Sequence, residues 1–218
     1  MTTRITDDNT ISTARLISFS DGVFAIAVTL LVFNLKVPQI AATDVHRILP
    51  EMIWAMLPNF TTYILSFLLI AVYWTFHHRL LNLVTRINNP FLWMNIWYLL
   101  MVSFIPFPAA LYGSYPHEIF SFIFYIVSMI VVNGISMLML GYASYKYRLV
   151  SKDLSLAPVR YLFFRQFTTI FVFLISIPIA LYQLRWAVYF MFILFPLHWG
   201  TKKYFKKFAG NRQLMFKT

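Results

Sequence analysis

Apolar residues dominate long runs of this chain, and short polar stretches separate one run from the next. A helix that crosses the hydrocarbon core of a bilayer needs about 20 mainly apolar residues. We therefore predict an all-α membrane protein with six transmembrane helices. Pro50 and Pro58 lie inside the second run, where neighbouring groups would have to satisfy the carbonyls that they free. The six expected helices cover residues 14–35, 46–75, 90–111, 119–142, 159–181 and 186–199.

The composition agrees with this pattern. Hydrophobic residues make up 60% of the chain, aromatic residues 19% and charged residues 11%, which is too apolar for a soluble domain. We find no internal repeat, so residues 1–218 are predicted to form a single six-helix domain that ends in a basic cytoplasmic tail at about 201–218. The chain has no cysteine, which excludes disulfides and thiolate metal sites.

Basic residues collect on one side of the predicted helices. Of the 18 Lys and Arg residues, only Lys36, Arg47 and Arg185 fall on the other side. Loops rich in Lys and Arg stay in the cytoplasm, so both termini are predicted to be cytoplasmic. The net charge of +11 does not indicate nucleic acid, because the basic residues lie beside apolar spans and no nucleic-acid-binding motif is present. The tail "KKYFKKF" either anchors the chain or contacts anionic lipid headgroups.

One carboxylate, Asp21, interrupts the first apolar run. In a helix it would lie about 9 Å inside the cytoplasmic end. A charge within a span costs roughly 2.5 to 3.5 kcal/mol on insertion scales, so Asp21 is expected to have a partner on a neighbouring segment. Arg15, His77 and His78 are the candidates. A paired Asp21 would lock two helices together, which we favour; a proton relay or cation site is the alternative.

The remaining polar residues do not indicate a reaction centre. His46, His117 and His198 are scattered, and the chain shows no Ser-His-acid constellation and no glycine-rich phosphate loop. We predict that the protein is not an enzyme, needs no cofactor and holds no metal other than a permeating ion. A carbonyl filter of the "TVGYG" type is also missing, so helix side chains would have to line any ion path.

One face of the first helix carries Gly22, Ile26, Thr29 and Phe33, at 100° per residue. If several copies surrounded an axis, Ile26 and Phe33 would form hydrophobic constrictions, and Thr29 would offer oxygens to a partly dehydrated cation. The same residue types are ordinary at lipid-facing or packing positions. The helix wheel alone leaves both interpretations open.

The segment "RLISFSDG" resembles the transmembrane protein 175 family of potassium channels, whose first helix carries the pattern R-x-x-x-F-S-D-G. The following "VFAIAVTLLV" and "KVP", and "WTFHHR" in the second helix, are similar to bacterial members. The resemblance covers residues 15–80 or so. The residues that match the pattern are Arg15, Phe19, Ser20, Asp21 and Gly22.

This resemblance implies a bacterial single-repeat member that assembles as a homotetramer in the inner membrane, with the first helix lining a central pore. Ile26 would form the constriction and Thr29 the next layer, and Phe33 stands where the family often has leucine. The motif residues, together with His77 and His78, would hold the first helix against its neighbours. Asp21 would then be a latch and not the ion site.

The sequence thus favours a potassium-selective channel that passes K⁺ down its electrochemical gradient, with further copies of the chain and membrane lipids as its other partners. Two alternatives stay open. One is a proton-coupled secondary transporter that uses Asp21 with His77 and His78. The other, which the scattered histidines make less favoured, is a membrane enzyme with a histidine-based site.

Overall fold

The computed structural model describes residues 12–151 and 156–208, and α-helices account for most of them. The predicted all-α fold is confirmed, since the described residues contain a single isolated β-bridge and no strand. Two short 3-10 helices follow α1 and α6, at Leu31–Asn34 and Tyr145–Tyr147. The α-helices are α1 (Thr13–Leu30), α2 (Val45–Ala55), α3 (Leu57–Leu83), α4 (Asn89–Phe104), α5 (Pro106–Ser114), α6 (Ile119–Ser144), α7 (Leu156–Met191) and α8 (Leu194–Phe208).

Within the described part of the chain, five segments are long and apolar enough to cross a membrane. They agree with the first five predicted spans in order, although several boundaries differ. The predicted sixth helix is not among them. The five segments are Thr13–Asn34, Leu57–Leu83, Asn89–Ser114, Ile119–Ser144 and Ala157–Met191.

The second predicted helix, 46–75, is wrong at both ends. Residues 45–55 form the separate helix α2, none of whose side chains is buried, and the spanning helix α3 begins at Leu57 and continues to Leu83. Pro58 lies in the first turn of α3, where its missing N–H is not needed and its fixed φ favours a helix start. Pro58 therefore begins a new helix and does not lie within a continuous one.

The third span consists of two helices because of proline. Pro106 follows Ile105 and has no N–H to donate to Val102, so α4 ends and α5 begins at this point. The side-chain amide of Asn34, at the end of the first span, donates to the carbonyl of Pro106 at 3.2 Å. This bond ties the end of the α1 segment to the break in the third span.

The boundary between the fifth and sixth predicted helices coincides with a kink. Gln183 inside α7 has extended backbone angles, φ −157° and ψ 107°. The backbone is interrupted again between Met191 and Leu194, where α8 begins. The sixth predicted helix, 186–199, thus corresponds to the end of α7 and the first half of α8. Residues 201–208 of the predicted tail are helical, and its remainder lies outside the described residues.

The helices pack so that α1 lies at one edge of the chain. It contacts α3 and α4, whereas α6 packs between α4 and α7, and α8 lies against α7. Two loops close one end of the bundle: the backbone N–H of Thr85 donates to the carbonyl of Leu149 at 2.9 Å, next to the bridge between Val84 and Val150. One face of α1 is consequently left without a partner from its own chain.

The centre of the bundle contains polar groups that form hydrogen bonds between helices. Tyr73, Tyr98 and Asn133 are buried, and the amide of Asn133 donates to the Tyr73 hydroxyl at 2.8 Å. The hydroxyl of Tyr98 donates to the backbone carbonyl of Tyr73 at 3.5 Å. Because hydrocarbon offers no water to such groups, these bonds fix how α3, α4 and α6 meet.

We expect Tyr73→Phe to destabilise the protein by about 1 kcal/mol, since the buried amide of Asn133 loses an acceptor. Thermal unfolding of the purified protein in detergent measures the change. Tyr182→Phe removes a hydroxyl from a side chain that is 90% exposed and serves as the control, with little expected change. An equal loss of stability in the two variants would show that the hydrogen bond between Tyr73 and Asn133 does not stabilise the fold.

Candidate functional site

Helix α1 has two faces of different character. Its start is fixed by Ser12, whose hydroxyl accepts a hydrogen bond from the backbone N–H of Arg15 at 3.3 Å. A stripe spaced by three or four residues is buried against the neighbouring helices, as expected for one side of a packed helix. The buried residues of this packed face are Leu16, Ser20, Phe24 and Ala27, continued by Leu31 in the following 3-10 turn.

The opposite face of α1 is exposed in the single chain. Ile26 is 61% exposed and Phe33 is 74% exposed, and Thr29 between them is also exposed. Phe19 and Gly22 extend the same stripe toward the start of the helix, and a Cβ atom added at Gly22 would meet no atom within 4 Å. This stripe therefore points away from the rest of the chain, and we call it the free face.

Thr29 is the only polar side chain near the middle of the free face. Its hydroxyl lies 3.0 Å from the carbonyl of Ala25 and 2.9 Å from that of Ile26, to either of which it donates its single proton. The lone pairs of the oxygen are then left for a donor or a cation outside the helix. On this face Thr29 presents an acceptor between two apolar side chains.

Asp21 has a partner, but not one of those predicted. Its carboxylate accepts a hydrogen bond from the indole N–H of Trp74 on α3, at 2.8 Å. Among the described residues, this bond takes the place of the predicted contacts with Arg15, His77 or His78. The two side chains are also the polar part of a groove of about 370 Å³ between α1 and α3. The expected link between helices is present, and it is made by a neutral donor.

Ser20 makes the second polar contact of the motif. Its hydroxyl donates to the carbonyl of Leu16 at 2.8 Å and accepts from the amide of Asn95 on α4 at 3.3 Å. Ser20 and Asn95 are completely buried. Adjacent motif residues thus hold α1 to two different helices, with Asp21 on α3 and Ser20 on α4.

The other residues predicted as part of the latch divide into two groups. His77 is buried and stacks on Tyr98 at 4.7 Å between ring centroids, with Phe24 of α1 at 5.6 Å, so it contributes to packing. His78 contacts the ring of Trp74 at 5.5 Å. Arg15, Phe19 and Gly22 do not share this role within one chain, because Arg15 and Phe19 are exposed and Gly22 lies in open space.

Trp74 and Asn95 are the site residues that sequence reasoning missed. Trp74 lies in the segment "WTFHHR", whose two histidines were the predicted partners of Asp21. Asn95 is the only residue with a side-chain amide in the apolar run "FLWMNIWYLL". The available signal was the cost of a buried amide without a partner, which predicts a polar contact on another helix. Among the described residues, no group of three or more His, Cys, Asp and Glu side chains could hold a metal ion.

These features define a polytopic helical membrane protein in which one helix is packed on one side and unpartnered on the other. A profile of the family described as "Endosomal/lysosomal potassium channel TMEM175" matches residues 15–106. The resemblance to the transmembrane protein 175 family is thereby confirmed over the first three spans, which include the motif and all the site residues discussed above.

Similar proteins support this assignment. A potassium channel of Chamaesiphon minutus is 41% identical over 103 residues, which cover 47% of this chain and 50% of that protein. A potassium channel of Streptomyces collinus is 36% identical over 104 residues, covering 48% and 49%. The matched stretch thus spans about half the length of each of these relatives.

The likeness in structure extends further along the chain. A crystal structure of a lysosomal potassium-selective channel TMEM175 homologue from Chamaesiphon minutus matches with a TM-score of 0.72 at 27% identity. The match covers 91% of this chain and 98% of that one. The second half of the chain, where the sequence match ends, therefore has the same fold.

We expect Trp74→Phe to destabilise the protein by about 1 kcal/mol, since the Asp21 carboxylate loses its donor at a half-exposed site. Trp97→Phe on α4, where the indole is 56% exposed, is the matched control and should have little effect. Thermal unfolding in detergent measures the change in stability of both variants relative to the wild type.

A double-mutant cycle tests whether Asp21 acts through Trp74. Asp21→Asn keeps one acceptor oxygen but loses the charge, so alone it should weaken the bond. In the Trp74→Phe background the same change should have a clearly smaller effect. If the double variant lost as much stability as the two single variants together, the hydrogen bond between Asp21 and Trp74 would be contradicted.

Proposed function

We propose that this chain is a subunit of a potassium channel, in which K⁺ moves passively down its electrochemical gradient through a pore lined by α1. The observation that carries the proposal is the free face of α1: a long apolar stripe with one hydroxyl acceptor, on the helix that bears the family motif. The names of the bacterial relatives and of the matching structure support the choice of K⁺.

The proposed assembly is a homotetramer in a bacterial inner membrane. Symmetry around one axis would bring four copies of the free face together, which is how a single helix per chain can enclose a path. Six spans are proposed, with residues 186–199 as the sixth. The excess of Lys and Arg at the ends that include both termini supports a cytoplasmic location for these ends.

In the proposed pore Ile26 forms the main constriction, Thr29 the adjacent hydroxyl layer and Phe33 a second apolar layer. An apolar ring favours the ion that sheds its water at the smaller cost, which is K⁺ rather than Na⁺, and a narrow one can close by dewetting. Asp21 and Ser20 keep this face turned toward the axis by holding the packed face to α3 and α4. No catalytic group or cofactor takes part.

The proton-coupled transporter that uses Asp21 with His77 and His78 has less support. Asp21 bonds to an indole N–H, which is a donor only and does not ionise at ordinary pH, so it cannot relay a proton. His77 lies among aromatic rings on the packed side of α1, away from the free face. These positions suit the packing of the pore helix better than a proton path.

We expect Ile26→Asn to raise ion flux and to reduce the preference for K⁺ over Na⁺, because a polar ring no longer requires the ion to lose its water. Flux from liposomes that contain the purified protein, under a K⁺ gradient and then an equal Na⁺ gradient, gives the ratio. Ile64→Asn on α3, at an isoleucine that is 51% exposed, is the control and should leave the ratio unchanged.

Wild-type flux in the same assay separates the two functions. A channel passes K⁺ without any second gradient, whereas a coupled transporter needs a proton gradient. If Ile26→Asn conducts and its ratio of K⁺ to Na⁺ flux equals that of the wild type, Ile26 does not form the constriction.

A further inference from the structure

Two arginines converge at the basic end of the bundle, away from α1. Arg79 lies in the last part of α3, and one of its guanidinium nitrogens is 3.5 Å from the hydroxyl of Tyr161 on α7. Arg165 follows Tyr161 by four residues, so the two side chains share a face of α7. Arg165 is only 7% exposed. Both arginine side chains thus lie on the side of α7 that carries Tyr161, where their like charges repel each other.

The surroundings of Arg165 supply no negative charge from the described residues. Its backbone carbonyl accepts from the hydroxyl of Thr169 at 3.0 Å, and that hydroxyl lies 2.9 Å from His198 Nε2. Neither Thr169 nor His198 can carry a negative charge.

The described carboxylates lie elsewhere. Asp44, Glu51 and Glu118 follow the far ends of α1 and α5, and Asp21 is bonded to Trp74. These are four of the seven acidic residues of the chain, and the other three lie outside the described residues. Within the part that the structure describes, the arginine pair has no carboxylate to offset it.

Such a pair is costly without an anion. Arginine keeps its charge at any ordinary pH, and a charge removed from water needs a partner. The guanidinium group offers parallel N–H donors at a spacing that matches two oxygens of a phosphate group. One phosphate between Arg79 and Arg165 would offset both charges.

We propose that Arg79 and Arg165 bind a phosphate-bearing anion at this end of the bundle. The phosphate belongs either to a lipid headgroup or to a free inorganic ion. Tyr161 lies between the two arginines, because its hydroxyl is 3.5 Å from Arg79 and its side chain shares a face of α7 with Arg165. This site is separate from the free face of α1, and its test does not require the protein to conduct.

The test is thermal unfolding of the full chain in detergent, with three probes added separately. These are dioctanoyl phosphatidylglycerol, dioctanoylglycerol, which has similar tails but no phosphate, and inorganic phosphate. We expect the wild type to be stabilised by phosphatidylglycerol or by inorganic phosphate, but not by dioctanoylglycerol. Stabilisation by the lipid alone assigns a headgroup, and stabilisation by inorganic phosphate assigns the free ion.

Removal of either arginine should weaken the apparent affinity for the effective probe at least about tenfold, since each loses a charge-assisted hydrogen bond. The variants are Arg79→Gln and Arg165→Gln; if the second does not fold, the first decides alone, because Arg79 is only partly buried. Arg160→Gln removes the same charge from an exposed position on α7 and should leave the affinity unchanged.

Three results would overturn the proposal. The first is the absence of stabilisation by any phosphate probe, and the second is equal stabilisation by dioctanoylglycerol. The third is an affinity that falls as much in Arg160→Gln as in Arg79→Gln, because binding would then be to the basic surface as a whole.

Discussion

A polar group inside a bilayer has no water to bond with, and this constraint explains most of what the chain does with its few polar residues. Three polar contacts each join two helices: Ser20 meets Asn95 and Tyr73 meets Asn133 in the interior, and Asp21 meets Trp74 at a partly exposed site. Apolar packing alone favours no single arrangement of helices in lipid, because lipid tails are as apolar as leucine. The hydrogen bonds therefore decide which face of each helix turns inward.

For α1 this has a direct consequence for function. The residues that bond to α3 and α4 lie on one side of the helix, so the other side faces away from the rest of the chain. A helix held firmly on one face can present a fixed row of side chains on the other, and a fixed row is what a narrow ion path requires. In the proposed channel, the R-x-x-x-F-S-D-G segment would act at a distance from the ion, by setting the rotation of α1.

The sequence predicted the all-α class and the order of the first five spans, because both follow from the length and composition of the apolar runs. The pore-lining role of Ile26, Thr29 and Phe33 stays a prediction, since the helix wheel alone does not separate it from a lipid-facing or packing role. The sequence failed where a single residue changes the backbone, because Pro58 begins a new helix inside a run that was predicted to be one continuous helix. It also predicted the wrong partner for Asp21. The predicted candidates were Arg15, His77 and His78, but the indole N–H of Trp74 donates to the carboxylate instead.

The most direct test of the central claim uses the absence of cysteine from the natural chain. Single cysteines are placed along α1 and treated with a positively charged, membrane-impermeant thiol reagent while K⁺ flux from liposomes is followed. We predict that modification at Ile26, Thr29 or Phe33 reduces the flux, whereas cysteines at Phe24 and Ala27 of the packed face do not react. Inhibition from the packed face, or unchanged flux with a fully modified free face, would contradict the account.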